Sequence, residues 1–215
     1  MPVSIVFLTA FGAGLATFAL TPWARRLVDT TSRWMHPGVP LLLAAIGGAG
    51  AAVLANTYPE LLAFALLSIA CAVLVVMDLA TYRLPDAIVG PMYPIMFAPL
   101  AAAAAFSGDW SRLGRSAAAA GVVLVVYLVL AIIAPHNLGL GDVKLSGLLG
   151  GFLGWLGWSH TLLGTMAAFV LSGVLSLVLI AAGATRRTAF PFGPLMVAGA
   201  AIGAVWGPAM VPGGG

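Results

Sequence analysis

Charged side chains are scarce in this sequence of 215 residues. Asp, Glu, Lys and Arg make up 7% of it, whereas a soluble domain carries about a quarter. Apolar residues make up 62%, so water cannot be the main solvent of the folded chain. Nine Lys and Arg outnumber six Asp and Glu, but on so apolar a chain they serve to orient it in a membrane. We therefore expect a lipid bilayer as a partner and no nucleic acid.

Cysteine is almost absent as well. Cys71 lies alone in the apolar run 61–77, which excludes a disulfide within the chain and a Cys-x-x-Cys metal site. We expect Cys71 to pack between helices. The histidines, His36, His136 and His160, are too scattered for a ligand set. The sequence predicts no metal ion and no cofactor.

Long apolar runs fill most of the chain. A crossing needs about 20 apolar residues, so the runs predict an all-α, polytopic membrane bundle of about eight helices. We treat residues 1–215 as a single membrane-embedded domain. The sixth run is short and could join the seventh as a re-entrant pair, which leaves six or seven crossings open. The predicted spans are 3–20, 39–57, 60–78, 87–106, 116–134, 143–158, 160–182 and 190–208.

The positions of Lys and Arg predict the orientation of the chain. The first run has no positive charge before it and has Arg25 and Arg26 after it, as in a retained anchor with its amino terminus outside. Cytoplasmic loops carry the excess of Lys and Arg. With the amino terminus outside, only Arg112 and Arg115 fall in outer loops. The inner loops then hold Arg25, Arg26, Arg33, Arg83, Lys144, Arg186 and Arg187.

Only six acidic residues occur, and solvation explains three of them. Asp29, Glu60 and Asp109 fall in predicted loops. Asp78 ends an apolar helix, whose C-terminal dipole repels a carboxylate, and inserting such a group costs about 2.5 to 3.5 kcal/mol. This unfavourable position indicates function. The alternative is an interfacial Asp that reaches the headgroup region beside Arg83.

Asp142 follows a glycine-rich turn and opens an apolar helix. Capping of that helix is the simpler interpretation, because Gly-x-Gly-Asp is a short pattern. Gly139 and Gly141 nevertheless allow a second backbone to approach closely, as an extended substrate requires. Asp86 follows Leu84-Pro85, and we expect it to cap the next helix. In the orientation above, Asp78 and Asp142 both fall at the cytoplasmic boundary.

The remaining polar and small residues have structural interpretations. Lys144 indicates a membrane-surface anchor, and Arg186 and Arg187 indicate topology or, alternatively, a contact with acidic lipid or substrate. No serine-nucleophile motif and no zinc-protease motif occurs, so the carboxylates are the only credible catalytic set. Small residues on the sixth span predict close helix packing; they are Gly147, Gly150, Gly151 and Gly154.

Three segments carry a resemblance to a known family. The run Met77–Asp86 holds an Asp followed by Leu-Pro-Asp, Gly139–Leu145 holds Gly-Leu-Gly-Asp-Val-Lys-Leu, and Pro191–Pro194 reads Pro-Phe-Gly-Pro. In this order they resemble the motifs of the prepilin peptidases, the type IV prepilin leader peptidases. The resemblance extends over about residues 61–207.

The resemblance implies a bacterial inner-membrane aspartic endopeptidase with a cytoplasm-facing site. It implies that Asp78 and Asp142 are the catalytic pair and that the partners are pilin-like precursors, cut after a basic leader. Larger relatives carry two Cys-x-x-Cys pairs and an N-methyltransferase activity after the first span, whereas here the loop 21–40 has no cysteine. The chain therefore resembles a short, peptidase-only form. Site-supporting roles fall to Pro85, Asp86, Gly139, Gly141, Lys144, Pro191, Gly193 and Pro194.

Two other functions fit some of the same residues. Presenilin-like and signal-peptide-peptidase-like intramembrane proteases share Gly-x-Gly-Asp, but their first Asp normally follows a Tyr, and here Met77 precedes Asp78. A proton-coupled transporter or a membrane scaffold could also hold carboxylates at the membrane boundary. The sequence predicts neither the particular precursor nor the oligomeric state.

Overall fold

A computed structural model describes residues 1–29, 32–133, 138–183 and 190–210. Within these ranges the chain forms eight α-helices, a short 3-10 helix at Arg33–Met35, and no strand. The α-helices, in chain order, are α1 (Val3–Val28), α2 (Gly38–Leu54), α3 (Tyr58–Thr81), α4 (Asp86–Ser107), α5 (Trp110–Ile133), α6 (Leu140–Leu156), α7 (Trp158–Ala181) and α8 (Gly193–Met210).

The predicted all-α membrane bundle is confirmed. Five helices in the described residues are long and apolar enough to cross a membrane, namely α1, α3, α4, α5 and α7, and α2 and α8 are shorter apolar helices. The sixth predicted span is the 17-residue helix α6. It is distinct from α7, although Gly157 is the only residue between them. The chain is a multi-pass membrane protein.

The first helix is longer than its apolar run. We predicted a span over 3–20, whereas α1 continues to Val28 and includes Pro22. The predicted loop 21–40 is therefore partly helical. Arg25, on this extra length, donates from its Nε to the Met35 carbonyl at 2.9 Å and so fixes the 3-10 helix against α1.

Residues Met1–Leu113 form the first of two compact units. Here α3 packs against α1, α2 and α4, and its residues 70–78 are buried without interruption. Small side chains let α1, α2 and α3 approach closely: Ala13, Ala44 and Ala72 form one buried cluster. Cys71 is a free, buried thiol in this same stretch of α3, which agrees with its predicted packing role.

Residues Gly114–Gly215 form the second unit. Glycines bring its helices together, because a Cβ added at Gly150 would lie 2.9 Å from the Ala119 carbonyl oxygen, and one at Gly154 would lie 2.4 Å from the Ala119 Cβ. This confirms the close packing predicted for the sixth span. Gly157 has φ 155°, a conformation open to glycine, and makes the sharp turn from α6 to α7.

The prediction for the acidic residue Glu60 is wrong. Glu60 lies in the first turn of α3 and is buried, whereas we predicted a solvated loop. Its Oε1 accepts from the Arg112 guanidinium at 3.0 Å, and its Oε2 accepts from the Asn56 amide at 2.7 Å. These contacts compensate the carboxylate for its loss of water.

Candidate active site

Asp78 lies in the last turn of α3, within the first unit. It is buried, with 4% of its surface exposed. The helix ends at Thr81. The next residue, Tyr82, adopts a left-handed conformation with φ 55°, and its amide donates to the Asp78 carbonyl at 2.9 Å. Met77 and its neighbours pack onto α1 and the 3-10 helix and hold this end of α3 in place. Arg83, beside which the alternative interpretation places Asp78 in the headgroup region, is exposed.

Asp142 lies in the first turn of α6, within the second unit. It is half-buried, and its Oδ2 accepts from the Gly139 amide at 3.1 Å. Gly139 is the cap residue and has no side chain, so only the Asp142 half of a capping box can form. Asp142 therefore takes part in capping from the third position of the helix and does not occupy the predicted cap position, and this hydrogen bond fixes the direction of the carboxylate.

The glycine before Asp142 has a local function. Gly139 adopts φ −79°, which any residue can adopt, so its backbone does not require glycine. A Cβ added there would lie 3.3 Å from Asp142 Oδ2. Glycine at this position therefore leaves the approach to the carboxylate open.

The two carboxylates occupy opposite ends of their helices. Asp142 is at the positive end of the α6 dipole, whereas Asp78 is at the negative end of the α3 dipole. Asp142 is also the more exposed of the two. The α6 dipole therefore favours a negative charge at Asp142, whereas the α3 dipole disfavours one at Asp78.

Residues 82–86 form the entry to α4. Pro85 occupies the cap position of α4 in an extended conformation, and Asp86 is the first helical residue, exposed to solvent. We predicted Asp86 as the cap, so this prediction is wrong by one position. Proline cannot continue the preceding helix, and a carboxylate in the first turn is stabilised by the α4 dipole.

The third sequence motif forms the entry to α8. The Phe192 carbonyl accepts from the amides of Leu195 and Met196, at 3.0 and 3.1 Å, and so starts the helix. Gly193 is buried and Pro194 is in the first turn, a position that tolerates proline. Pro191 is half-buried.

The other predicted site residues lie elsewhere. Lys144 is half-buried, two residues after Asp142 in α6. Arg186, Arg187 and His136 lie outside the described residues.

An aromatic cluster connects this third motif to the helices of the second unit. Tyr127 of α5 lies with its ring centroid 5.2 Å from that of Phe169 of α7 and 6.1 Å from that of Phe192. The two phenylalanine rings are 6.1 Å apart. Tyr127 is buried, with 2% of its surface exposed. The Pro-Phe-Gly-Pro segment therefore packs against α5 and α7 through these rings.

Tyr127 was not identified as a candidate site residue from the sequence. It is one aromatic residue in an apolar run, and no local pattern separates it from a lipid-facing tyrosine. The contacts that distinguish it come from α7 and the segment before α8, which are distant in sequence. No three His, Cys, Asp or Glu side chains among the described residues come together in a way that could hold a metal ion.

Comparison with known families decides the class of protein. Residues 65–181, more than half of the chain, match the type IV leader peptidase family. The chain belongs to the type IV leader peptidase family. The matched region contains Asp78 and Asp142, whereas Pro191–Pro194 lies beyond its end. Comparison with curated proteins and with solved structures gave no match. Membership of this family makes the chain a peptidase of the leader-peptidase kind, as the sequence motifs predicted.

Proposed function

We propose that this leader peptidase is an aspartic endopeptidase, that Asp78 and Asp142 are its catalytic pair, and that it removes the basic leader of type IV pilin-like precursors. The observation that carries the proposal is the family match, which contains both carboxylates. Burial of Asp78 at the end of an apolar helix also supports it, because ionisable groups in such positions are costly and mark functional sites.

The mechanism needs a water molecule and the two acids. Two neighbouring carboxylates cannot both ionise easily, so the pair holds one proton. The ionised member takes a proton from the water as its oxygen attacks the scissile carbonyl carbon, and the protonated member donates to the developing oxyanion. Collapse of the tetrahedral intermediate breaks the C–N bond. The leaving amine takes the proton that the first carboxylate removed from water, and the intermediate's hydroxyl group returns its proton to the second carboxylate. No covalent enzyme intermediate forms.

The proposed site faces the cytoplasm from the bacterial inner membrane, with the amino terminus outside. Support comes from the distribution of Lys and Arg, since only Arg112 and Arg115 fall on the outer side in this orientation. Thiol labelling of intact cells tests it in a Cys71→Ala background. Ser111→Cys should react with an impermeant reagent, and Arg33→Cys should react only after the membrane is opened. The reverse pattern contradicts the orientation.

Cleavage by the purified protein tests the catalytic pair. In detergent, the wild type should shorten a pilin-like precursor, whereas Asp78→Asn and Asp142→Asn should lose at least about 1,000-fold in rate, because each removes one proton-transfer group. Asp29→Asn is the matched control, since Asp29 is exposed at the left-handed end of α1, where Asn is tolerated. Full activity of either dyad variant would refute the proposal.

A substrate panel separates this proposal from an intramembrane protease of the presenilin type. Precursors with a basic leader ending in glycine should be cut at that glycine. Replacement of the glycine should prevent cleavage, while transmembrane segments without a leader should stay intact. Cleavage inside such segments would favour the other protease class.

A further inference from the structure

Tyr127 is held in one orientation by its neighbours. It is 2% exposed, and it contacts Phe169 and Phe192, whose rings come from two other parts of the second unit. Aromatic rings at these separations attract each other beyond their buried area. The ring therefore cannot turn to point its hydroxyl group in a different direction without breaking both contacts.

The same side of α6 carries Asp142 and faces Tyr127. Ser146 is four residues after Asp142, so the two share one helix face. Ser146 and Tyr127 line a common pocket between α5, α6, α7 and α8. Gly150 and Leu153, further along this face of α6, line the same pocket.

We propose that Tyr127 is a positioning residue for Asp142, and that its hydroxyl group donates a hydrogen bond to the Asp142 carboxylate both before and after substrate binds. A buried phenol usually finds a hydrogen-bond partner. Hydrogen bonds of catalytic groups are often loose without substrate and tighten when it binds. Together with the Gly139 amide, the phenol holds the carboxylate in the direction that catalysis needs.

This proposal also gives the third motif a function. Phe192 touches Tyr127 while its carbonyl group starts α8. The Pro191–Pro194 segment thus acts on Asp142 through Tyr127. The consequence for catalysis rests on the proposed peptidase function, whereas the coupling between Tyr127 and Asp142 does not.

Steady-state kinetics test the catalytic consequence. Tyr127→Phe keeps the ring and removes the donor, so kcat should fall about 10- to 100-fold, the loss of one hydrogen bond to a charged group, with KM within about twofold of wild type. Tyr58→Phe, the same change at an exposed tyrosine, should leave both constants unchanged. An unchanged kcat in Tyr127→Phe, or a change in KM alone, overturns the proposal.

A double-mutant cycle tests the contact without any substrate. The melting temperatures of Tyr127→Phe, Asp142→Ala and the double variant are compared with wild type, because interacting residues give non-additive shifts. The double variant should melt close to the less stable single variant. Additive shifts overturn the proposal. An inactive wild type with non-additive shifts would instead refute the peptidase function and leave the contact standing.

Discussion

Glu60 and Arg112 form an ion pair within the first unit, with side chains 2% and 25% exposed. The carboxylate also accepts from the Asn56 amide, and Thr57 Oγ1 accepts from the Glu60 amide at 3.4 Å. Glu60 thus joins the turn before α3 to the first turn of α5. A buried charge is tolerated where partners of this kind replace its water.

Loss of one member of this pair should destabilise the protein. We expect Glu60→Ala to lower the free energy of unfolding by about 3 kcal/mol, the lower end for breaking a buried pair, because Arg112 retains some solvent. The measurement is thermal unfolding in detergent. The neutral double variant Glu60→Gln, Arg112→Gln should lose less than Glu60→Ala. Equal stability of Glu60→Ala and wild type would show that the pair is dispensable.

The position of Glu60 in a first helical turn could have been predicted from the sequence, but its partner could not. Thr57-Tyr58-Pro59-Glu60 has the spacing of a helix start, with a cap residue and an acidic residue three positions later. That pattern places Glu60 in a first turn. The partnership with Arg112 spans 52 residues, and no local pattern predicts it.

The close contact between the helices α7 and α8 depends on glycine residues in both helices. A Cβ added at Gly203 would lie 2.5 Å from the Gly164 Cα and 2.6 Å from the His160 carbonyl oxygen. The His160 ring also donates from Nδ1 to the Gly203 carbonyl at 2.9 Å. Gly199 and Gly207 approach α7 just as closely. Backbones this close gain dispersion contacts and exclude lipid from the interface.

Gly203→Ala should therefore separate the two helices. Backbone atoms block the added methyl group and cannot rotate away, so we expect a loss of about 1 to 3 kcal/mol in unfolding free energy. Gly173→Ala is the matched control, because nothing lies within 4 Å of its added Cβ. There alanine should raise stability by about 0.5 to 1 kcal/mol. Similar melting temperatures for both variants would contradict the close contact.

The positions of the helices could be predicted from the apolar runs, whereas the contacts between helices were predicted only in part. The runs located the eight α-helices of the described residues, because crossing a membrane imposes a length and a composition that the sequence shows directly. The small-residue rule was applied to Gly147–Gly154 and correctly predicted close packing of α6. The same four-residue spacing in Gly199, Gly203 and Gly207 was overlooked, although the rule would have found it.

At the scale of the molecule, the family match covers parts of both compact units. Asp78 is in the first unit and Asp142 in the second, and residues 65–181 contain both. The candidate acids and their order were visible in sequence, since carboxylates are rare in this chain and stand in recognisable motifs. Tyr127 could not be identified from the sequence, because its contacts are with rings from α7 and the entry to α8.

The central claim is that Asp78 and Asp142 form one catalytic pair, and thiol cross-linking tests it most directly. The chain has a single cysteine, so Cys71→Ala supplies the background in which Asp78→Cys and Asp142→Cys are combined. Asp109→Cys with Asp142→Cys is the negative control, because the proposed topology puts those two on opposite sides of the membrane. We predict that a short bifunctional reagent bridges the Asp78–Asp142 pair and not the control pair. If both thiols react singly in the folded protein and no bridge forms between them, the account is contradicted.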